Sequence, residues 1–465
     1  MATWRIGAAC AGMLALGCSG NNGIGGGGRG GSGGDATGAG GVATGGSSAG
    51  GVSGTAGSGD SASTGAVGGG GVTGTAGSPG SGGSAGAGGV TASGPWVMGY
   101  WAVWQTTQYP LAHVAWSDMT HVAISFVEPR APGAISSASP YATLDSSNAV
   151  DNLGATGMSD FAAAAHAGGA HPIISLGGAG AGAGFAAAAS PANQNQFVSE
   201  VLAACAKWHY DGVDLDWEDS INLTDFQSLV LALRASAPPG FLLTAPVGAV
   251  NNNAGIDAGT AALWSAVAGA VDQINVMTYT GSGNYPGWVV WYLDPLMGAG
   301  SDHPFDVVSS LAAWAALGIP KSKLGAGIGF YGRAVSAPVT AALQSYGSAT
   351  VYEDDTELSY GNIQRYFVGH GGAVSHWDAT ALTTWLSWAT SFQPSWTDQF
   401  VGDQGPPTQF LTFEDVPTVM AKGSWLKSNG YGGVIIWTIN EGTQYPYGGD
   451  GYANPLLDAT AAAFR

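Results

Sequence analysis

The stretch Tyr210–Ser220, YDGVDLDWEDS, carries five acidic residues, Asp211, Asp214, Asp216, Glu218 and Asp219. Val213, Leu215 and Trp217 alternate with Asp214, Asp216 and Glu218. In an extended chain the apolar side chains therefore share one face and three carboxyls share the other. Same-face neighbours on a strand lie roughly 7 Å apart. Carboxyls enclosed at that spacing cannot all ionise, because repulsion and desolvation split their pKa values and leave one protonated near neutral pH. One residue type then supplies both a general acid and an electrostatic stabiliser. Glu218, at the C-terminal end with the longest reach, is the candidate acid; Asp216 lies next to it and Asp214 deeper. Asp211 has the opposite parity and is expected to make structural hydrogen bonds where the strand starts. A divalent cation also takes oxygen ligands, so the acids alone leave a metal site open.

Eight short apolar stretches can position such a face. They are WVMGYW (Trp96–Trp101), THVAISFVE (Thr120–Glu128), HPIISLGG (His171–Gly178) and YDGVDLDWE (Tyr210–Glu218), followed by FLLTAPVG (Phe241–Gly248), VDQINVMTYT (Val271–Thr280), KLGAGIGFYG (Lys323–Gly332) and YGGVIIWTIN (Tyr431–Asn440). Helix-like runs such as SDFAAAAHA, TDFQSLVLALRA, AALWSAVAGAV and FDVVSSLAAWAALG separate most of them. Alternation of this kind predicts an α/β chain closed into a (β/α)8 TIM barrel, with its site at the C-terminal ends of the strands. Tyr100, Trp101, Ser175, Glu218, Tyr279, Tyr331, Trp437 and Asn440 cluster at those ends. The connection from Arg333 to Asp415 far exceeds the dozen or so residues of a plain crossover. It predicts a small α+β insertion between strands 7 and 8, beside the barrel mouth.

DGVDLDWE matches the DxxDxDxE signature of family 18 glycoside hydrolases, the chitinase family, which the chain resembles from Trp96 to Arg465. SLGG on strand three, NVMTY on strand six, GFYGR on strand seven and GGVIIWTIN on strand eight follow in the family's order. LSYGNIQ and FLTFEDVPTVMAKGSWLKSNGYGG resemble the chitinase insertion domain. The resemblance implies a catalytic barrel over 95–465, with the insertion at 334–412. It also implies retaining hydrolysis of β-1,4 bonds in chitin or other N-acetylglucosamine oligosaccharides, in which the substrate's acetamido carbonyl is the nucleophile.

On that resemblance Glu218 protonates the glycosidic oxygen, while Asp216 orients the acetamido N–H and stabilises the oxazolinium. Asp214 tunes Asp216, with Ser175 and Tyr100 as hydrogen-bond supports. Tyr279 donates to the acetamido oxygen, Met277 packs beneath, and Trp437 floors the reacting sugar with its flat apolar face. Tyr331 and Arg333 join the binding residues, although both could equally brace the insertion, and a lone barrel Trp such as Trp437 could be core. No metal or other cofactor is implied, and the eight histidines show no ligand spacing. Related N-acetylglucosaminyl linkages in peptidoglycan or N-glycans are an alternative substrate, and a sugar-binding protein without catalysis is a rival of another class. Three positions depart from the family: Ala179 stands where a Trp often follows GG, Asp219-Ser220 where Tyr-Pro commonly follows the acid, and Thr280 where Asp commonly follows the Tyr.

The remaining sequence bounds where the chain works. Residues 1–17, MATWRIGAACAGMLALG, hold an apolar run from Ile6 to Gly17 that is too short to span a bilayer and suits a signal peptide. ALGC resembles a lipoprotein cleavage box, predicting a lipid anchor at Cys18 and a secreted or surface-anchored bacterial protein. Residues 18–94 are rich in Gly, Ser, Ala and Thr and read as a disordered tether. Cys205 is expected to be a buried small residue. A formal net charge of -19, without any Lys/Arg cluster, argues against nucleic acid or anionic lipid as a partner. The catalytic part is expected to act as a monomer.

Overall fold

The computed structural model describes residues 95–136, 139–154, 156–396, 404–443 and 451–464. The expected signal segment, Cys18 and the tether lie outside the described residues. Eight parallel strands form the central sheet: β1 (Trp96–Ala102), β2 (His121–Pro129), β3 (His171–Gly177), β4 (Gly212–Asp216), β5 (Leu242–Gly248), β6 (Gln273–Met277), β7 (Leu324–Gly329) and β8 (Gly433–Trp437). Each pairs with its neighbours in sequence order, and β1 pairs with both β8 and β2, so the sheet closes into a (β/α)8 barrel.

Alternation sorts the side chains into two layers. Val213, Leu215 and Trp217 of the acidic stretch point outward and join the large core between barrel and helices. Met98, Tyr100, Ile173, Met277 and Ile435 belong to a separate cluster inside the barrel. Helices at Gly157–Ala167, Gln194–Trp208, Leu223–Ser236, Ala258–Val267 and Val307–Ala315 cover the outer face. Several start on side-chain caps: Asn222 Oδ1 accepts the backbone N–H groups of Thr224 and Asp225, and Asp257 and Asp306 cap two later helices. Cys205 is buried against Gly212.

The strands are shorter than the apolar runs suggest. β4 ends at Asp216, so Glu218 stands two residues beyond it. The carbonyl of Asp216 makes the last ladder bond, accepting the N–H of Gly178, and beyond it the Trp217 indole donates to the carbonyl of Asp219. β6 likewise stops at Met277 and places Tyr279 in the loop after it.

Between β7 and β8 the chain builds a five-stranded antiparallel sheet from Gly332–Val335, Val351–Tyr352, Val374–Asp378, Thr383–Phe392 and Thr408–Phe413, with a helix at Tyr360–Tyr366. Val335 and Phe410 of this sheet pack with Val290, Trp291, Tyr292 and Phe305 of the β6 loop. At the same joint Lys422, 1% exposed, lies 2.9 Å from Asp294 and also pairs with Glu414. Three buried charges thus tie the β6 loop, the insertion and the helix Val416–Ser428 together.

Candidate active site

Asp214 is the anchor of the site. It sits on β4 inside the barrel with 0% exposure. A bare carboxylate there would carry a large desolvation cost. Three hydroxyls offset it: Tyr100 from β1 donates to Oδ2 at 2.7 Å, Ser175 from β3 to Oδ2 at 3.0 Å, and Thr244 from β5 to Oδ1 at 2.5 Å. Burial raises the Asp214 pKa, and these three hydrogen bonds pull it back. Tyr100, buried and facing Asp214 and Asp216, is pushed well above its usual pKa.

Asp216, 4% exposed, has the opposite environment. Burial raises its pKa first, then the charges of Glu218 and Asp214, and a hydrogen bond to Glu218 adds to the rise. Its Oδ1 has no partner among the described residues. Glu218 is raised to about 7, chiefly by burial, while its hydrogen bond to Asp216 opposes the shift. The three carboxyls therefore differ in kind. Asp214 is held by three donors, whereas Asp216 and Glu218 are hydrogen-bonded to each other and both are raised, by burial first.

Around the acids stands an aromatic wall. Trp437, Tyr100, Met277, Tyr279 and Tyr331 belong to one apolar cluster inside the barrel mouth. The Tyr331 hydroxyl donates to the Tyr279 carbonyl at 3.1 Å, and the Arg333 guanidinium lies 4.7 Å from the Tyr331 ring centroid. All ten sequence-selected site residues thus converge on the C-terminal end of the barrel. Trp101 and Asn440 serve elsewhere. The Trp101 indole donates to the Tyr109 carbonyl in the outer layer, and Asn440 bonds the backbone of Ala102 and Gln105. Asp211 interacts with His166 at 3.1 Å and His171 at 2.6 Å at the opposite end of the strand.

Several site residues carried no signal in the sequence. Thr244 looks like an ordinary β-branched strand residue. Phe126 of β2 stacks on Trp437 with centroids 5.6 Å apart and a 20° interplanar angle, and Trp104 packs against both, 6.0 Å from Phe126 at 29° and 6.2 Å from Trp437 at 46°. Trp104 is 36% exposed, so this three-ring cluster reaches solvent. Asp355, from the insertion, accepts the Trp437 indole N–H at 2.9 Å. At the departures, Asp219 Oδ1 accepts the backbone N–H groups of Gly180 and Gly182 and draws the loops after β3 and β4 together. Ala179 is exposed on the first of these loops, and Thr280 is buried with no partner for Oγ1 among the described residues.

Among the described residues no group of three His, Cys, Asp or Glu is placed to hold a metal ion. What the arrangement can do is proton transfer next to a site for a polar group. Glu218, with its raised pKa, is a proton donor, and the buried Oδ1 of Asp216 next to it is an acceptor.

A family model described as glycosyl hydrolases family 18 matches residues 96–442. Chitinase 1 of Aphanocladium album is 25% identical over 365 residues, which span 72% of this chain and 78% of that protein. Chitinase A1 of Niallia circulans is 26% identical over 307 residues, covering 58% of this chain but 40% of the relative. Among solved structures, the Group IV chitinase of Ostrinia furnacalis in complex with allosamidin has the same fold, with a TM-score of 0.62 at 21% identity over 79% of this chain and 98% of that one.

Proposed function

The chain belongs to glycosyl hydrolases family 18 as a glycoside hydrolase of chitinase type, and from that premise we propose that it cleaves β-1,4 bonds in chitin oligosaccharides with retention, using the substrate's acetamido carbonyl as nucleophile. The observation that carries this reading is the pair Asp216 and Glu218. Glu218 holds a proton up to about pH 7 and can hand it to the leaving glycosidic oxygen. The unpartnered, buried Oδ1 of Asp216 can accept the acetamido N–H, which turns the carbonyl of that group toward the anomeric carbon. Positive charge then develops on the closing oxazoline ring next to Asp216, where it draws the Glu218 proton's departure and the Asp216 charge into one event. Water opens the ring and returns a proton to Glu218.

The remaining residues hold this pair in place. Tyr100, Ser175 and Thr244 keep Asp214 as a fixed charge behind Asp216. Tyr279 is assigned the acetamido oxygen, Met277 the space beneath it, and Tyr331 with Arg333 the adjoining wall. Trp437, braced by Phe126 and Trp104, offers a flat apolar face to the C–H side of a pyranose ring. The apolar run Ile6–Gly17 and the Gly/Ser-rich stretch after Cys18 support export and retention at the cell surface.

Incubating the purified chain with chitin oligomers, peptidoglycan fragments and a glycoprotein tests the reading. Cleavage of chitin oligomers in preference to the other two is expected. Release from peptidoglycan or glycoprotein alone would move the substrate to another N-acetylglucosaminyl linkage, and binding without any cleavage would make the chain a lectin.

A further inference from the structure

The hydrogen bond from Trp437 to Asp355 adjoins a polar joint that the proposed chemistry leaves unused. Gln105, 3% exposed, ends the short helix Val103–Gln105 that follows β1. Its side-chain amide reaches two other segments. Nε2 donates to Glu441 Oε1 at 2.9 Å and to Thr356 Oγ1 at 3.2 Å, while Oε1 accepts the Thr438 hydroxyl at 3.0 Å. Thr438 and Glu441 belong to the loop after β8, and Thr356 follows Asp355 in the insertion. Thr356 and Glu441 lie 251 and 336 positions from Gln105, so no local turn or helix cap accounts for these bonds.

Glu441 is the unusual member of the joint. It is buried, and its Oε2 has no hydrogen-bond partner among the described residues. Burial first, and then the charge of Asp355, push its pKa well above the usual carboxyl range, while the Gln105 bond opposes the rise and Asp354 adds to it. A neutral carboxyl offers its carbonyl oxygen to Gln105 without the cost of a buried charge, and places no second negative charge beside Asp355. All these bonds bear on one ring. Thr438 follows Trp437 in the chain, Asp355 holds the Trp437 indole N–H, and Trp104, next to Gln105, packs against Trp437 at 6.2 Å. Turning the Gln105 amide would break three hydrogen bonds together and strand buried partners.

We infer that Gln105 and Glu441 are positioning residues for sugar binding: they lock the Asp355 loop of the insertion to the loop after β8 and so fix the plane of Trp437. The inference rests on Trp437 flooring the reacting sugar in the hydrolase reading. Both residues act through Asp355 and Trp437.

Two measurements on the full chain test this. Thr356→Val removes the bond from Gln105 to the insertion at a half-buried position, and Glu441→Leu removes the carboxyl that Gln105 donates to. Titration calorimetry in the Glu218→Gln background, where turnover is suppressed, should show each weakening chitin-oligomer binding by about threefold to tenfold, the effect of one lost hydrogen bond. Glu441→Gln keeps an oxygen for Gln105 and should recover most of that affinity. A double-mutant cycle separates positioning from packing: with Asp355→Ala in place, Thr356→Val should cost less than about twofold more. The second measurement needs no sugar. Hydrogen exchange of the Trp437 indole N–H, assigned by its absence in Trp437→Phe, should be faster in Thr356→Val than in the wild type. Full additivity with Asp355→Ala and unchanged indole exchange, in a protein that binds and cleaves chitin oligomers, would overturn the inference and leave the hydrolase reading intact. A wild type that binds no chitin oligomer would overturn the role in sugar binding through its premise, even with indole exchange quickened in Thr356→Val.

Discussion

The indole Nε1 of Trp437 donates a hydrogen bond to Asp355 Oδ2 at 2.9 Å, so a residue of the insertion fixes the plane of a ring at the end of the last barrel strand. Asp355 is half-buried near Arg333, and desolvation raises its pKa while the indole bond and the guanidinium oppose the rise. A hydrogen bond to a charged acceptor contributes about 1.5–3 kcal/mol. Asp355→Ala should weaken chitin-oligomer binding by about tenfold or more, with kcat changed less, as read by titration calorimetry and steady-state kinetics. Asp355→Asn retains an acceptor and should recover most of the affinity; equal losses in both variants would assign the effect to charge.

Thr244 makes the shortest of the three hydrogen bonds to Asp214. Thr244→Val removes it with little change of volume and leaves a buried oxygen short of one donor. The Asp214 pKa, already raised by burial, should rise further. The acidic limb of the kcat/KM profile is expected to move to higher pH while the alkaline limb stays. An unmoved acidic limb would mean that Asp214 is not a required anion.

Glu218 is raised to about 7, chiefly by burial. As a proton donor it acts in its protonated form, so kcat/KM should fall by about tenfold per unit as pH rises beyond that value. Glu218→Gln should lower turnover by about 10²–10⁴-fold while oligomers still bind. The same shift has a stability sign. Between the ordinary 4.5 and about 7 the folded chain holds a proton that the unfolded chain releases, so this residue's contribution is complete below 4.5 and lost as pH climbs through 7. Glu218→Gln should therefore flatten the decline of Tm across that window.

The barrel was largely legible because each of its strands is a short apolar run punctuated by glycine or a helix-like stretch, and because parity alone sorts Asp214 and Asp216 from Leu215. Strand ends were not. The runs continue through Trp217 and Glu218, whereas the ladder makes its last bond at the Asp216 carbonyl. Thr244, Phe126 and Asp355 were invisible for a different reason. Their partners lie 30, 311 and 82 positions away, and only closure of the barrel and folding of the insertion bring them together. Nothing in LLTAPVG marks its threonine as facing an acid.

Lys422 stands between Asp294 and Glu414, all three buried. Burial raises the pKa of both carboxyls, and the lysine charge opposes the rise in each. Lys422→Met leaves two buried acids without a cation, which in such settings costs about 3–5 kcal/mol. Thermal unfolding should show a lowered Tm, with a larger loss at pH 8 than at pH 5, because the acids can protonate at the lower pH. A loss independent of pH would point to packing instead.

Proton NMR of the reducing end formed from a chitin oligomer tests the central claim most directly. Two successive displacements at one carbon, the first by the acetamido oxygen and the second by water, return the original configuration. The product present before mutarotation should be the β-anomer, and oligomers lacking the acetyl group on the reacting sugar should not be cut. α-Anomer appearing first would contradict the account.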